Sequence, residues 1–172
     1  MGIRARVMEG ATRPGHFNGV AQVVSRLFDM VGPCRAYFGE KDFQQVAIIR
    51  ALLKQTGQDV TIEECPIVRE ADGLAMSSRN TLLTPEYRAA APDIYRAMLE
   101  GARSVGTKSV AEVKKSVTGK VESGGLLKVI YFELVDAGTL QPVAEWGAAA
   151  SVQWCIAVQA GSVRLIDNIR FK

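Results

Sequence analysis

The chain has 172 residues and a mass of 18.6 kDa, with 48% hydrophobic and 23% charged residues, a composition that fits one ordinary globular domain or two small ones. Its 21 Lys and Arg against 18 Asp and Glu leave +3, spread without a basic run or an Arg/aromatic alternation, so nucleic-acid binding is not suggested. Three cysteines without a CxxC pair argue against a disulfide framework and fit a reducing cytoplasm, and a single histidine, His16, sets aside zinc and every site that needs two histidines.

No apolar run approaches the length of a membrane span, and Met1 to Arg6 carries basic residues without an apolar segment behind them, so neither a membrane segment nor a targeting signal is expected. From Phe17 the apolar positions Phe17, Val20, Val24, Leu27, Phe28 and Val31 follow the helical period, with Gly32-Pro33 as the stop. Cys34 to Phe38 reads as a short strand ending at Gly39. The helical period resumes through Val46, Ile49, Leu52 and Leu53, stops at Gly57, and hands over to a second strand from Val60 to Cys65. Strand, helix and strand in this order form a βαβ unit whose two strands are expected to be parallel. Two strands cannot cover both helices, so the unit reads as the end of a larger doubly wound sheet that begins before Met1.

The character changes across the polar stretch Arg69 to Thr84, which places a boundary at about residues 66 to 75, with a first domain over 1–68 and a smaller α+β domain over 69–172. Thr84-Pro85-Glu86 has the form of a helix start, with a capping oxygen, a proline in the first turn and an acid close behind. Pro92 is expected to break that helix, and Ile94, Tyr95, Met98 and Leu99 continue a second one to about Val105. Ser109-Val110-Ala111-Glu112 is a capping box that leads Val110, Val113 and Val117 along one helix face. Val129 to Val135 is one strand. In the next, Val152, Trp154, Ile156 and Val158 alternate against a more polar face of Gln153, Cys155, Ala157 and Gln159. Gly161-Ser162 is a two-residue hairpin link to a last strand from Val163, giving a three-stranded antiparallel sheet with helices. The fold class expected is therefore α/β, a Rossmann-like parallel end followed by a small helix-plus-sheet unit.

Three polar clusters interrupt these elements at loops or element ends, where function is usually carried. Arg13-Pro14-Gly15-His16 precedes the first helix and reads equally as a solvated loop with a capping histidine. Gly39-Glu40-Lys41-Asp42 lies where a parallel strand hands over to a helix: Gly39 lets a ligand approach the backbone, the helix start offers amide donors, and Lys41 adds a positive charge, the ingredients of a phosphate site. Met76-Ser77-Ser78-Arg79-Asn80 places two hydroxyls beside a guanidinium that could bind a polyphosphate, or forms a Ser-rich linker.

The segments Arg13 to Phe17, Phe38 to Gln45, Val68 to Asn80 and Leu165-Ile166-Asp167-Asn168, taken in order and spacing, resemble the pantothenate synthetase (pantoate–β-alanine ligase) family over the whole chain, tightest from Glu9 to Pro85. The resemblance implies a nucleotidylyl-transferase fold and an activity that uses ATP and magnesium to adenylate pantoate, releasing pyrophosphate, before the amine of β-alanine attacks the pantoyl adenylate. Carried onto this sequence, Gly39, Glu40, Lys41 and Asp42 would hold ATP, with Lys41 on the phosphates and Asp42 on the ribose side. Gln45 would bind pantoate. Val68, Met76, Ser77, Ser78 and Arg79 would complete the nucleotide site on a mobile loop, and Arg13 and His16 would give electrostatic help near the reacting centre.

One departure stands out. The family carries a His-x-Gly-His motif on an earlier strand-to-helix turn, whereas this sequence has His16 alone. The expectation is a carboxy-terminal portion that does not make pantothenate by itself. The alternatives are a module that binds nucleotide without turnover, and another adenylylating acid–amine ligase with the same loops. An exposed parallel-sheet edge favours self-association, expected as a homodimer.

Overall fold

The computed structural model describes residues 7–171. Met1 to Arg6, read above for a targeting signal, lie outside the described residues. The chain divides into two compact units, Met1–Ile67 and Val68–Lys172.

In the first unit a single helical turn, α1 (Glu9–Thr12), leads into α2 (His16–Val31), β1 (Cys34–Gly39), a 3₁₀ turn over Glu40–Asp42, α3 (Phe43–Thr56) and β2 (Val60–Cys65). The two strands pair in parallel from Cys34 opposite Val60 to Gly39 opposite Cys65, as the βαβ reading requires. Gly57 ends α3 in the left-handed region at φ 68°, a conformation that costs glycine little and a β-carbon more. Val46, Ile48 and Ile49 of α3 are buried to within 1% exposure and make the centre of this unit. Gln58 ties α3's end to α2 by donating to the Ser25 carbonyl at 3.0 Å and to Asp29 Oδ1 at 2.6 Å.

The apolar stripe expected along α2 is only partly covered. Phe17, Ala21 and Phe28 are buried, whereas Val23, Leu27, Met30 and Val31 are exposed. One neighbouring helix and a two-stranded sheet offer a narrow line of contact and no surface for the rest.

In the second unit α4 (Pro85–Ala90), α5 (Asp93–Arg103) and α6 (Val110–Glu122) precede β3 (Leu127–Asp136), β4 (Val152–Ala160) and β5 (Val163–Phe171), which form an antiparallel sheet in the order β3-β4-β5. The capping box is present: Glu112 N donates to Ser109 Oγ at 3.3 Å and Ser109 N donates back to Glu112 Oε2 at 2.8 Å. Those bonds, the Ser109 hydroxyl first, hold the Glu112 carboxyl below the usual carboxylate range. Gly161 turns the last hairpin at φ 60° while Ser162 keeps a negative φ, the type II′ pattern.

Helices and sheet meet over Ile94, Met98, Val113, Val117, Leu134 and Trp154. The Trp154 ring lies 6.2 Å from Trp146, nearly parallel, and 5.7 Å from Phe132, edge on. Both arrangements are favoured by the ring quadrupole.

Three expectations need correction here. Thr84 stands at the start of α4 but its side chain makes no capping bond, so Pro85 sets that boundary through its fixed φ. The helix expected to run to Val105 ends at Arg103, where Ser104 donates its amide to Gly101. The face of β4 expected to be polar and wet is buried, with Gln153 and Ala157 at 0% and Cys155 at 6% exposure. Gln153 is tolerated there because its amide donates to Asn168 Oδ1 at 2.6 Å, and burial pushes the Cys155 thiol far above the usual thiol range.

Candidate functional site

In the first unit the chemistry-bearing residues gather at element ends. Arg13 caps α1 and lies 3.7 Å from Glu9 and 3.3 Å, Nη1 to Nε2, from His16. A guanidinium has donors only, so in this contact the imidazole Nε2 accepts and the ring is neutral with its proton on Nδ1. What holds this corner is a residue that sequence reasoning passed over. Gln44, buried in the first turn of α3, accepts from Glu9 N at 3.1 Å and donates to the Val7 carbonyl at 2.8 Å, fastening the segment that leads to Arg13.

At the carboxyl end of β1, Gly39 is exposed, with extended backbone at φ −69°, and a β-carbon added there would meet nothing within 4 Å. Its value is therefore open space for a ligand rather than a special dihedral. Glu40 and Lys41 are half-buried, Asp42 is exposed at the cap position of α3 without a side-chain capping bond, and Gln45 follows half-buried in the first turn. Lys41 thus stands beside the amide end of a helix, where the macrodipole favours an anion.

In the second unit Val68 and Met76 are brought together. Met76 N donates to the Val68 carbonyl at 2.9 Å, Glu70 N to Leu74 O at 2.8 Å, and Arg69 bridges Ala75, so residues 68–76 form a small closed loop. Gly73 turns it at φ 93°. Asp72 Oδ1 accepts from Leu74 N at 3.2 Å, and the Arg88 hydrogen bond to Asp72 holds that carboxyl below its ordinary value. From this loop emerges a 3₁₀ helix, Ser78–Leu82, in a stretch expected to be irregular. Ser77 caps it, accepting from Arg79 N at 3.3 Å, and Asn80 returns to the Ala75 carbonyl at 3.1 Å. Val68 and Met76 are 65% and 49% exposed, and Ser78 and Arg79 are exposed too. The unit therefore presents two hydroxyls, a thioether and a guanidinium on one outward turn.

Asp167, quoted above only as part of a motif, pairs with Arg69 through two oxygens at 2.7 and 2.9 Å. Among the described residues no group of three His, Cys, Asp or Glu side chains converges as a metal site would, and no helix is long and apolar enough to cross a membrane.

Comparison with known proteins agrees with this layout. The sequence profile of the family described as Pantoate-beta-alanine ligase matches residues 2–170. The pantothenate synthetase of Bacteroides thetaiotaomicron is 51% identical over 166 residues, covering 96% of this chain and 59% of that protein. That of Porphyromonas gingivalis is 50% identical over 172 residues, covering 100% of this chain and 61% of that protein. The chain thus spans about three fifths of the length of the curated relatives it matches. The crystal structure of pantothenate synthetase from Thermus thermophilus superposes with a TM-score of 0.92 at 42% identity, over 98% of this chain and 61% of that one. The Francisella tularensis pantoate-beta-alanine ligase, complexed with beta-gamma ATP and beta-alanine, gives 0.71 at 31% identity, over 96% and 54%. By profile, identity and fold, the chain belongs to the pantoate–β-alanine ligase family.

Proposed function

We propose that this chain carries the phosphate-handling loops of an ATP-dependent ligase that joins pantoate to β-alanine through a pantoyl adenylate. The observation that carries the reading is the exposure of Lys41's turn and of Met76–Arg79 at element ends, in a family one of whose members is complexed with an ATP analogue and β-alanine. The first unit would form the end of the nucleotide-binding half and the second the smaller domain.

In the first step a pantoate carboxylate oxygen attacks the α-phosphorus of ATP. The bond between that phosphorus and the bridging oxygen breaks, and pyrophosphate leaves with the electron pair. Negative charge grows on the departing oxygens, and Lys41, Arg79 and the Ser77 and Ser78 hydroxyls are the groups that stabilise it, with α3's first-turn amides behind Lys41. Each charged contact of this kind is worth about 10² to 10³ in rate. Asp42 takes the ribose side, Gln45 holds pantoate, and Val68 and Met76 flank the nucleotide. Neutral His16, its Nε2 engaged by Arg13, offers Nδ1–H as a hydrogen-bond donor and does no proton transfer. In the second step the amine of β-alanine attacks the acyl carbon, AMP leaves with its electron pair, and the amine proton passes to solvent.

Magnesium enters as part of the nucleotide substrate. With no converging acidic set among the described residues, the phosphates themselves are its ligands.

The test is formation of pantothenate and AMP from pantoate, β-alanine and MgATP by the purified 172-residue polypeptide, alone and with the amino-terminal portion of a relative added. The expected result is turnover only with the added portion. Turnover by this polypeptide alone at the rate of a full-length relative overturns the dependence on a second segment; no turnover in either arm, with MgATP binding intact, points to a binding module instead.

A further inference from the structure

We propose that Arg69 and Asp167 are a positioning pair that sets the aim of the Met76–Arg79 turn, so that nucleotide affinity depends on a salt bridge lying behind the turn. This rests on the reading of that turn as a nucleotide loop.

The turn itself has few anchors. Its internal bonds are Arg79 N to Ser77 Oγ at 3.3 Å and Thr81 Oγ1 to Ser78 O at 2.8 Å. Both of its ends return to one rung: Met76 follows Ala75 and bonds across to Val68, and Asn80 donates to the Ala75 carbonyl. That rung is the bridge between Arg69 and Ala75. Whatever fixes Arg69 therefore fixes both ends of the turn.

Arg69 is held from every side. Its Nη1 donates to Asp167 Oδ2 at 2.7 Å and to the Gly73 carbonyl at 3.0 Å, and its Nη2 to Asp167 Oδ1 at 2.9 Å and to the Asn168 carbonyl at 3.3 Å. The guanidinium carbon lies 3.6 Å from the centre of the Tyr95 ring on α5. Asp167 sits on β5, its side chain 5% exposed, and also accepts from Asn168 N at 2.7 Å. Gly73 completes the fit: at φ 93° its missing β-carbon would lie 2.8 Å from Tyr95 Cδ1.

A pair this dry adds little net stability, because desolvation offsets most of the attraction and an apolar pair of similar volume serves as well or better. What the planar fork adds is direction, which a lysine ammonium lacks. A turn that must point two hydroxyls and a guanidinium at one anion needs direction.

The test is hydrogen exchange by mass spectrometry on the whole 172-residue chain, with and without MgATP, comparing wild type with Arg69→Lys and the double variant Arg69→Met/Asp167→Leu. The double variant guards against a chain that merely unfolds, since it leaves no buried charge. In wild type MgATP slows exchange over residues 76–80. In both variants that protection needs at least tenfold more MgATP and the turn exchanges faster without nucleotide, while α6 and β4 exchange as in wild type. Variants that keep wild-type protection at wild-type MgATP concentration overturn the proposal. If MgATP leaves residues 76–80 unprotected in wild type, the nucleotide reading fails instead, and nucleotide-free exchange still decides: faster exchange in the variants upholds the pair, and equal exchange overturns it.

Discussion

Gly101 lies in α5 where the helix presses on α6 and on β4, and replacing it by alanine is the sharpest test of the second unit's core. A β-carbon there would lie 2.5 Å from Val117 Cγ2, 3.2 Å from Trp154 Cζ3 and 3.5 Å from Val113 Cγ1. Val117 and Val113 are 1% and 0% exposed, and Trp154, at 0%, is enclosed by Phe132, Trp146 and Phe171, so none can swing aside. Alanine gains about 1 kcal/mol in helix propensity over glycine. Overpacking a closed core costs about 1 to 3 kcal/mol, and a contact this short belongs at or beyond the upper end. The net is a loss of about 2 kcal/mol, or about 8 °C in Tm at about 4 °C per kcal/mol. Both tryptophans of the chain, Trp146 and Trp154, belong to this unit, so tryptophan fluorescence during urea unfolding reports it selectively. A lower midpoint at unchanged slope is expected. A midpoint at or above wild type would mean that α5 does not approach α6 and β4 as described.

Further outcomes follow from single contacts. Gln44→Ala orphans the Glu9 amide and the Val7 carbonyl, each costing about 1 to 3 kcal/mol; amides of residues 9–13 should exchange at least tenfold faster while those of β2 hold their rates. The Asp72 carboxyl is held below its usual value first by the Arg88 hydrogen bond, so its contribution is complete above the ordinary carboxylate value and fades as pH falls through the lowered one. Both side chains are over a third exposed or close to it, at 41% and 35%, which keeps the effect under about 1 kcal/mol. Wild type should accordingly exceed Asp72→Asn slightly in urea midpoint near neutral pH and converge with it in strong acid; a gap that widens toward acid contradicts the assignment.

Where local chemistry decides, the sequence was legible. The parallel strands, the glycine stops at Gly32 and Gly57, the Ser109 capping box and the Gly161 hairpin each depend on residues a few positions apart, and each is found in place. The candidate site was legible as polar interruptions at element ends. What did not show were partners far apart along the chain. Arg69 meets Asp167 across 98 positions and Gln44 meets Glu9 across 35, with no local pattern to announce either. The polar face of β4 misled for the same reason: Gln153 reads as solvent-facing until Asn168 supplies its hydrogen bond. Ser78–Leu82 is too short to carry a period, so its 3₁₀ form was invisible.

Pantoate-dependent exchange of labelled pyrophosphate into ATP tests adenylate formation most directly, because it reads the first step in reverse and needs no β-alanine. The assay uses this chain with the amino-terminal portion of a relative added, as wild type and as Lys41→Ala. The account predicts exchange that requires pantoate and falls about 10² to 10³-fold in the variant, with the urea midpoint unchanged. Exchange without pantoate, or exchange at the wild-type rate in Lys41→Ala, would contradict it.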